Sequence, residues 1–368
     1  MRVTLFARVD TALNPYMLLY KKALERQGLI VHLEREFGLN WLLTRGKPCD
    51  AIHLHWIAGV YRPAKWNIRS GLARRLVHNR FVTTLRGALR LANFSAALFL
   101  AKLGGKTIVY TVHNLEPPGK QSRPSSILRQ MAHRVVLSLS DRIHAHNHYT
   151  RKILETTHNR HNGVIVVPLG NYIGRYPNQI SRLEARRQLG LPNDAFVYLF
   201  LGLLRPYKGV EELIDAFEKL ELSTNRLLIV GRASKASYKE RILGLSRNNS
   251  AIELVPEFVP DEAIQLYMNA CDICVLPYRN ITTSSAVVLA WSFGRPVIVP
   301  AIASFPELIT PETGILYDPS QPNALLSALR QARQDSWSES EILDYVRQFD
   351  WDKLGPQLAN LYRIDSDS

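Results

Sequence analysis

Cys274-Val275-Leu276-Pro277-Tyr278-Arg279-Asn280-Ile281-Thr282-Thr283-Ser284-Ser285, continuing through Ala286–Phe293 to Gly294-Arg295-Pro296-Val297-Ile298, reads as strand, hydroxyl-rich turn, helix, stop and strand. Asp272–Leu276 is a short apolar run suited to a buried parallel strand, and Pro277 ends it. Thr282, Thr283, Ser284 and Ser285 supply N-cap side chains for a helix over Ala286–Phe293. Gly294 closes that helix and Pro296 forbids its continuation. A helix that starts after the carboxyl end of a parallel strand presents unpaired N–H groups and a positive dipole end, which suits a phosphate. Plain capping at a strand-to-helix joint would use the same hydroxyls, so the rest of the chain has to decide.

Upstream, strand and helix patterns alternate. Strands are expected over Arg2–Ala7, Leu29–Leu33, Asp50–His55, Lys106–Val112, Arg142–His146 and Val164–Val167, and helices over Pro15–Gln27, Ser126–Ser140 and Tyr149–Thr157. Leu169–Asn178 breaks the texture with Gly170, Gly174 and Pro177, and a linker is placed there. A second alternation follows, with strands at Ala195–Leu201, Arg226–Val230 and Ala251–Val255 and helices at Gly209–Leu220, Ala236–Leu245 and Asp261–Ala270. After the opening stretch come Ile315–Tyr317 and helices at Ala324–Gln334 and Asp352–Tyr362. The fold class is therefore α/β: two doubly wound, Rossmann-like domains facing a cleft. The expected domains are 1–175 and 176–345, with 346–368 as a C-terminal helix packing back toward the first domain.

The chain of 368 residues suits two such domains, and 46% hydrophobic with 21% charged residues is ordinary for a globular protein. No apolar run reaches the roughly 18 residues of a transmembrane helix. Met1–Ala7 is soon interrupted by Arg8 and Asp10, so it reads as the first strand and not as a signal peptide. Three cysteines argue against a disulfide framework and fit a reducing cytoplasm.

A net charge of +14 calls for an anionic partner: nucleic acid, a phosphorylated ligand or an anionic membrane. Its distribution narrows the choice. Ala51–Leu115 contains no Asp or Glu, yet holds Arg62, Lys65, Arg69, Arg74, Arg75, Arg80, Arg86, Arg90, Lys102 and Lys106. Between about 62 and 106 the basic residues are interleaved with Leu72, Leu76 and Val77, and with Leu85, Leu89, Ala92, Ala96, Phe99 and Leu103 at helical spacing. That is the composition of an interfacial amphipathic helix pair docking on an anionic leaflet. A solvated face over the domain core is the plainer alternative. A nucleic-acid partner is not expected, because stacking aromatics and polar residues are sparse in the window.

Gly202-Leu203-Leu204-Arg205-Pro206-Tyr207-Lys208-Gly209 joins an expected strand to an expected helix. Gly202 permits close backbone approach, and Arg205 and Lys208 beside a helix start make a diphosphate clamp.

Gly202, Arg205, Lys208-Gly209 and Glu212–Phe217, with Gly231, Val259-Pro260-Asp261-Glu262, Tyr267, Cys271-Asp272, Gly294-Arg295-Pro296-Val297, Pro306-Glu307-Leu308 and Gly314, resemble the second-domain signature of GT-B glycosyltransferases, family 4 (group 1) in particular. In the first domain Thr111-Val112-His113-Asn114 resembles that family's strand-end histidine, and Asn147 stands where a small polar residue follows a strand. The resemblance implies a cytoplasmic hexosyltransferase, peripheral on the inner face of the membrane. It would use a nucleotide diphosphate sugar, GDP-mannose or a UDP-sugar, and a membrane-associated, polyprenyl-diphosphate-linked saccharide acceptor. No cofactor and no metal are expected. Arg205 and Lys208 would hold the diphosphate, Glu257 would lie in the loop facing the base, and Glu307 would join the donor site. The family's paired glutamates fall on Ile281 and Leu289, so Thr283, Ser284 and Ser285 are the candidates for the missing sugar and ribose contacts.

His113 would sit beside the donor sugar. An inverting relative would need a general base, for which Asp10, His113 and Glu116 are the candidates. Asn14, His55, Trp56 and Asn114 follow strand ends and are candidates for the acceptor or cleft. A GT-B epimerase is the alternative among enzymes, and a basic nucleic-acid-binding protein the alternative from another class. Cys271-Asp272-Ile273-Cys274 lacks a second pair and reads as core, and the alternation His144, His146, His148 lacks further ligands for a metal site.

Overall fold

The computed structural model describes residues 1–8, 15–61, 79–113, 123–220 and 224–363. Asp10, Asn14, Asn114, Glu116 and the stretch from Arg62 to Val77 lie outside the described residues. The chain divides into one unit of Met1–Pro168 with Trp351–Ser368 and a second of Leu169–Asp350. The division falls at 168/169 and 350/351, not at 175/176 and 345/346. Local bonds explain the shift: Asn171 N donates to Phe349 O at 2.9 Å, and Tyr172 N to Ser292 Oγ at 2.9 Å, so this stretch is part of the second unit.

The first unit contains β1 (Arg2–Phe6), α1 (Tyr16–Arg26), β2 (Ile30–Glu34), α2 (Leu39–Thr44), β3 (Ala51–His55), α3 (Ala58–Tyr61), α4 (Arg80–Leu103), β4 (Thr107–Val112), α5 (Arg123–Leu139), β5 (Arg142–Ala145), α6 (His148–His158) and β6 (Val164–Val166). The six strands form one parallel sheet in the order β2-β1-β3-β4-β5-β6. Alternate residues of its central strands differ in kind. Ile52, Leu54, Ile108, Tyr110, Val112, Ile143 and Ala145 join Leu91, Phe94, Ala97 and Leu98 of α4 and Val136 of α5 in an apolar core. The intervening positions carry His53, His55, Thr111, His113, His144 and His146, all buried. Side chains alternate between sheet faces with period two, so one face is hydrocarbon and the other carries the imidazoles and the hydroxyl beside Val109.

In the second unit, α7 (Arg182–Gln188) precedes β7 (Phe196–Leu201), α8 (Val210–Glu218), β8 (Asn225–Val230), α9 (Ala236–Ser246), β9 (Ile252–Val255), α10 (Ile264–Ala270) and β10 (Ile273–Val275). Then follow α11 (Ser285–Ser292), β11 (Val297–Pro300), α12 (Phe305–Leu308), β12 (Gly314–Tyr317), α13 (Ala324–Gln331) and α14 (Glu339–Val346). Its parallel sheet runs β12-β11-β10-β7-β8-β9. The chain then returns to the first unit as α15 (Trp351–Ala359), which packs on α1.

The sequence reading missed α2, α3, α7, α12 and α14, which are short helices fixed by packing more than by periodicity. Cys271 and Cys274 are buried core, with sulfurs 3.9 Å apart.

Helix α4 carries the apolar stripe read in the basic window. Leu85, Leu89, Phe99 and Leu103 face solvent with Ala92 and Ala96, while Leu91, Phe94, Ala97, Leu98 and Ala101 are buried. The stripe read from the sequence is therefore the outer face of a helix that has a second apolar face inward. Among the described residues no helix is long and apolar enough to cross a membrane.

Candidate functional site

In each sheet, successive strands first add on one side and then switch to the other. The crevice at the carboxyl ends of the strands that flank such a switch is where open α/β sheets bind ligands. The second sheet switches between β7 and β10. Arg205 and Lys208 lie in the turn after β7, Thr283 and Ser284 in the turn after β10 and Ser285 at the first position of α11, so both sequence-predicted groups lie at the switch.

The two turns are joined closely. Arg279 N donates to Tyr207 O at 2.8 Å, and Lys208 Nζ donates to Tyr278 Oη at 3.3 Å while lying 4.8 Å from the centre of that ring. Gly209 sits at φ 70°, and a Cβ there would lie 1.9 Å from Pro277 O. Gly202 has φ 149°, and a Cβ there would lie 3.1 Å from Lys208 Nζ. Both glycines are needed for the approach of these turns. Among the described residues, neither Arg205 nor Lys208 has a carboxylate partner, and Arg205 Nε is buried without a hydrogen-bond partner. Burial pulls the Lys208 ammonium below its ordinary value; Tyr207 opposes this and Arg205 adds to it. The acids of the first turn of α8 are engaged elsewhere: Glu211 pairs with Arg241 and Arg279, and Glu212 with Arg279. The start of α8 therefore offers two unneutralised cations and a helix N-terminus whose N-cap, Gly209, makes no side-chain cap.

Ser284 is buried and caps α11 through a long contact from Val287 N at 3.4 Å, Thr283 is half-buried and Ser285 is exposed. Ser304 Oγ donates to Thr282 O at 2.9 Å, which ties the loop before α12 to this turn. Glu307, on α12, is exposed. Glu257 is exposed on the loop after β9, the edge strand, with β8 between it and β7.

In the first unit the buried polar face forms a hydrogen-bond chain whose direction can be deduced. Burial holds His53, His55, His113, His144 and His146 below the usual imidazole range, so the rings are neutral near pH 7. A carbonyl only accepts, so His144 Nε2 donates to Val167 O at 2.8 Å and Nδ1 is an acceptor. Thr111 Oγ1 donates to that nitrogen at 3.1 Å and accepts from His53 Nε2 at 2.7 Å. His53 Nδ1 then accepts from the Tyr362 hydroxyl at 2.6 Å.

His113 belongs to a second pair. Its Nε2 lies 3.0 Å from His55 Nδ1, and His55 Nε2 is buried without a partner. A bare acceptor costs less in the interior than an orphaned N–H. His55 thus donates from Nδ1, and His113 carries its own proton on Nδ1. In that tautomer His113 has no free lone pair, so the arrangement suits donation of a hydrogen bond and not removal of a proton. Trp56 stacks on the His113 ring at a centroid distance of 3.8 Å and holds φ 46°, a strained value for a bulky residue. The histidine pairing was detectable in principle, since His53, His55, Thr111 and His144 share one strand parity. Tyr362 and Tyr278 left no such signal. Among the described residues no group of three or more His, Cys, Asp and Glu is arranged to hold a metal ion.

Comparison with known proteins follows the same lines. Residues 181–348 match the family model described as glycosyl transferases group 1. The chain is 27% identical over 317 residues to the GDP-mannose:glycolipid 4-beta-D-mannosyltransferase of Xanthomonas campestris pv. campestris, covering 83% of this chain and 77% of that protein. Sucrose-phosphate synthase from Thermosynechococcus elongatus superposes with a TM-score of 0.70 at 18% identity, over 99% of this chain and 98% of that one. The Anabaena HepE protein in complex with UDP superposes with a TM-score of 0.68 at 18% identity, over 98% of this chain and 99% of that one. The architecture in common with these structures is that of GT-B glycosyltransferases.

Proposed function

We propose, for a chain that is a group 1 glycosyltransferase of GT-B fold, that it moves a hexose from a nucleoside diphosphate sugar to a lipid-linked saccharide at an anionic membrane surface. The observation that carries the reading is the pair Arg205 and Lys208, two cations without a carboxylate partner among the described residues, placed at the switch point of the second sheet. A donor diphosphate would supply the missing negative charge. As the glycosidic bond to the leaving nucleotide breaks, charge builds on its terminal phosphate, and preorganised cations there act more strongly on the transition state than on the ground state. The hydroxyls and N–H groups of Thr283, Ser284 and Ser285 would orient the donor, and the Nδ1–H of His113 would steady the sugar. In this reading the side chains provide the positive charge that the leaving group needs.

GDP-mannose is favoured as donor by the named activity of the Xanthomonas relative, and a UDP-sugar by the UDP bound to HepE. The same relative acts on a glycolipid. The exposed stripe of α4, within a stretch free of acids, supports docking on the inner face of the cytoplasmic membrane.

The test is thermal stabilisation of the wild type and Arg205→Ala by UDP, GDP, ADP, CMP and dTDP. A nucleotide at 100 times its dissociation constant stabilises by about 2.7 kcal/mol. One nucleoside diphosphate shifting the wild type and not the variant is the expected result. No shift with any nucleotide would remove the reading.

A further inference from the structure

The first sheet has a switch point of its own, between β1 and β3. A cavity of about 110 Å³ opens there, floored by Phe6, Leu54 and Phe94 and bounded by His55 and Trp56. Three guanidinium groups line it: Arg8 beyond β1, Arg35 beyond β2 and Arg90 from α4. They share one carboxylate. Glu36 lies 2.9 Å from Arg8 and 3.5 Å from Arg90, and its side chain is 62% exposed. Arg35 has no acidic partner among the described residues. Among the described residues the cavity thus carries an excess of positive charge over an apolar floor. Two glycines leave room for side chains that line the cavity. A Cβ on Gly59 would meet Arg8 Cδ at 2.9 Å, and a Cβ on Gly38 would meet Asn93 Nδ2 at 2.4 Å, where α2 abuts α4.

We propose that this cavity is a subsite for the diphosphate of a polyprenyl-diphosphate-linked acceptor, with the lipid chain running along the exposed stripe of α4. The inference rests on the lipid-linked acceptor of the reading above. Guanidinium forks match phosphate oxygens in pairs, and a low-polarity floor strengthens their attraction. An exposed carboxylate is held weakly by such groups, so a diphosphate can displace Glu36. Arg90 and Asn93 line the cavity, while Leu89, Ala92 and Ala96 lie on the exposed face of the same helix. A lipid on that stripe would have its headgroup at the mouth of the cavity. Trp56 forms one wall and stacks on His113, so the cavity adjoins the ring proposed to steady the transferred sugar.

The experiment measures binding of farnesyl diphosphate, farnesol and inorganic diphosphate to the full chain, by titration calorimetry in mild detergent. Farnesyl diphosphate should bind and farnesol should not, and Arg35→Ala and Arg90→Ala should each weaken binding about tenfold. Glu36→Gln should tighten it several-fold, an effect that no folding defect produces. Equal binding of farnesyl diphosphate to the wild type and both arginine variants would overturn the proposal. So would inorganic diphosphate binding as tightly as the lipid, which would place a free anion there. Nucleotide stabilisation is measured alongside. A nucleotide shift without farnesyl diphosphate binding sinks this subsite alone, and farnesyl diphosphate binding without any nucleotide shift sinks the transferase reading alone.

Discussion

His55 Nδ1 and His113 Nε2 lie 3.0 Å apart, and that single contact sets which nitrogen of His113 carries its proton. His55→Ala removes the donor and frees His113 to exchange tautomers. Transfer activity is expected to fall about tenfold in kcat. His55→Asn places an amide where the donor nitrogen stood and should recover most of the loss. Nitrogen NMR of the His113 ring, showing Nδ1 protonated in the wild type and His55→Asn but mixed in His55→Ala, separates positioning from mere loss of packing.

The five neutral, buried histidines of the first sheet's polar face, with the buried His133, give the fold an acid limit. Each has its folded pKa depressed by burial, so each ring gains affinity for a proton on unfolding. Stability from these groups is complete above about pH 6.5 and is lost as pH falls from there, at roughly 1.4 kcal/mol per pH unit for each ring. The loss should continue toward the folded value of His144, pushed down to about 4. Urea midpoints between pH 7.5 and 5 should drop steeply, and a flat profile would contradict the neutral assignment.

The turn that carries the cations depends on a missing side chain. Gly209→Ala would put a methyl 1.9 Å from Pro277 O at φ 70°, against backbone that cannot rotate away. The cost is expected to be about 2–4 kcal/mol, read as a lowered melting temperature with loss of nucleotide stabilisation. Gly244→Ala, where nothing lies within 4 Å, is the control and should be neutral or slightly stabilising.

The outer face of α4 can be altered without touching the core. Leu85 and Leu89 are 48% and 62% exposed, so Leu85→Glu with Leu89→Glu should leave the melting temperature within about 1 °C. Pelleting with anionic vesicles should fall at least several-fold. Retention on DNA that survives these changes while vesicle binding is absent would favour a nucleic-acid partner instead.

The parallel strands were legible because runs such as Ala51–His55 and Ile273–Val275 are buried on both faces and bounded by turn residues. The cation pair was legible because Gly202, Arg205 and Lys208 are close in sequence, and a turn after a strand brings them together whatever the tertiary packing. The cavity with Arg8, Arg35 and Arg90 was not, since three separate chain segments meet only through strand order. Which residues α4 buries was not legible for a related reason. A helix with apolar residues on two faces has no single periodicity to show which face is inward, and only the sheet beneath it decides. The proton order of the histidines was beyond sequence altogether, because it follows from the Val167 carbonyl and the Tyr362 hydroxyl at either end.

The return of the chain at Trp351 has a consequence for biosynthesis. The first unit is interrupted by the whole of Leu169–Asp350 and recovers its last pieces, α15 and Tyr362, only from the closing residues. The second unit can therefore mature on the ribosome before the first, although it is translated later. The first can seat the tyrosine against His53 only once the residues beyond Asp350 have been made. A chain cut just after Asp350 would leave the intervening unit sound, and the quality-control machinery would meet an incomplete protein that still has one well-formed half.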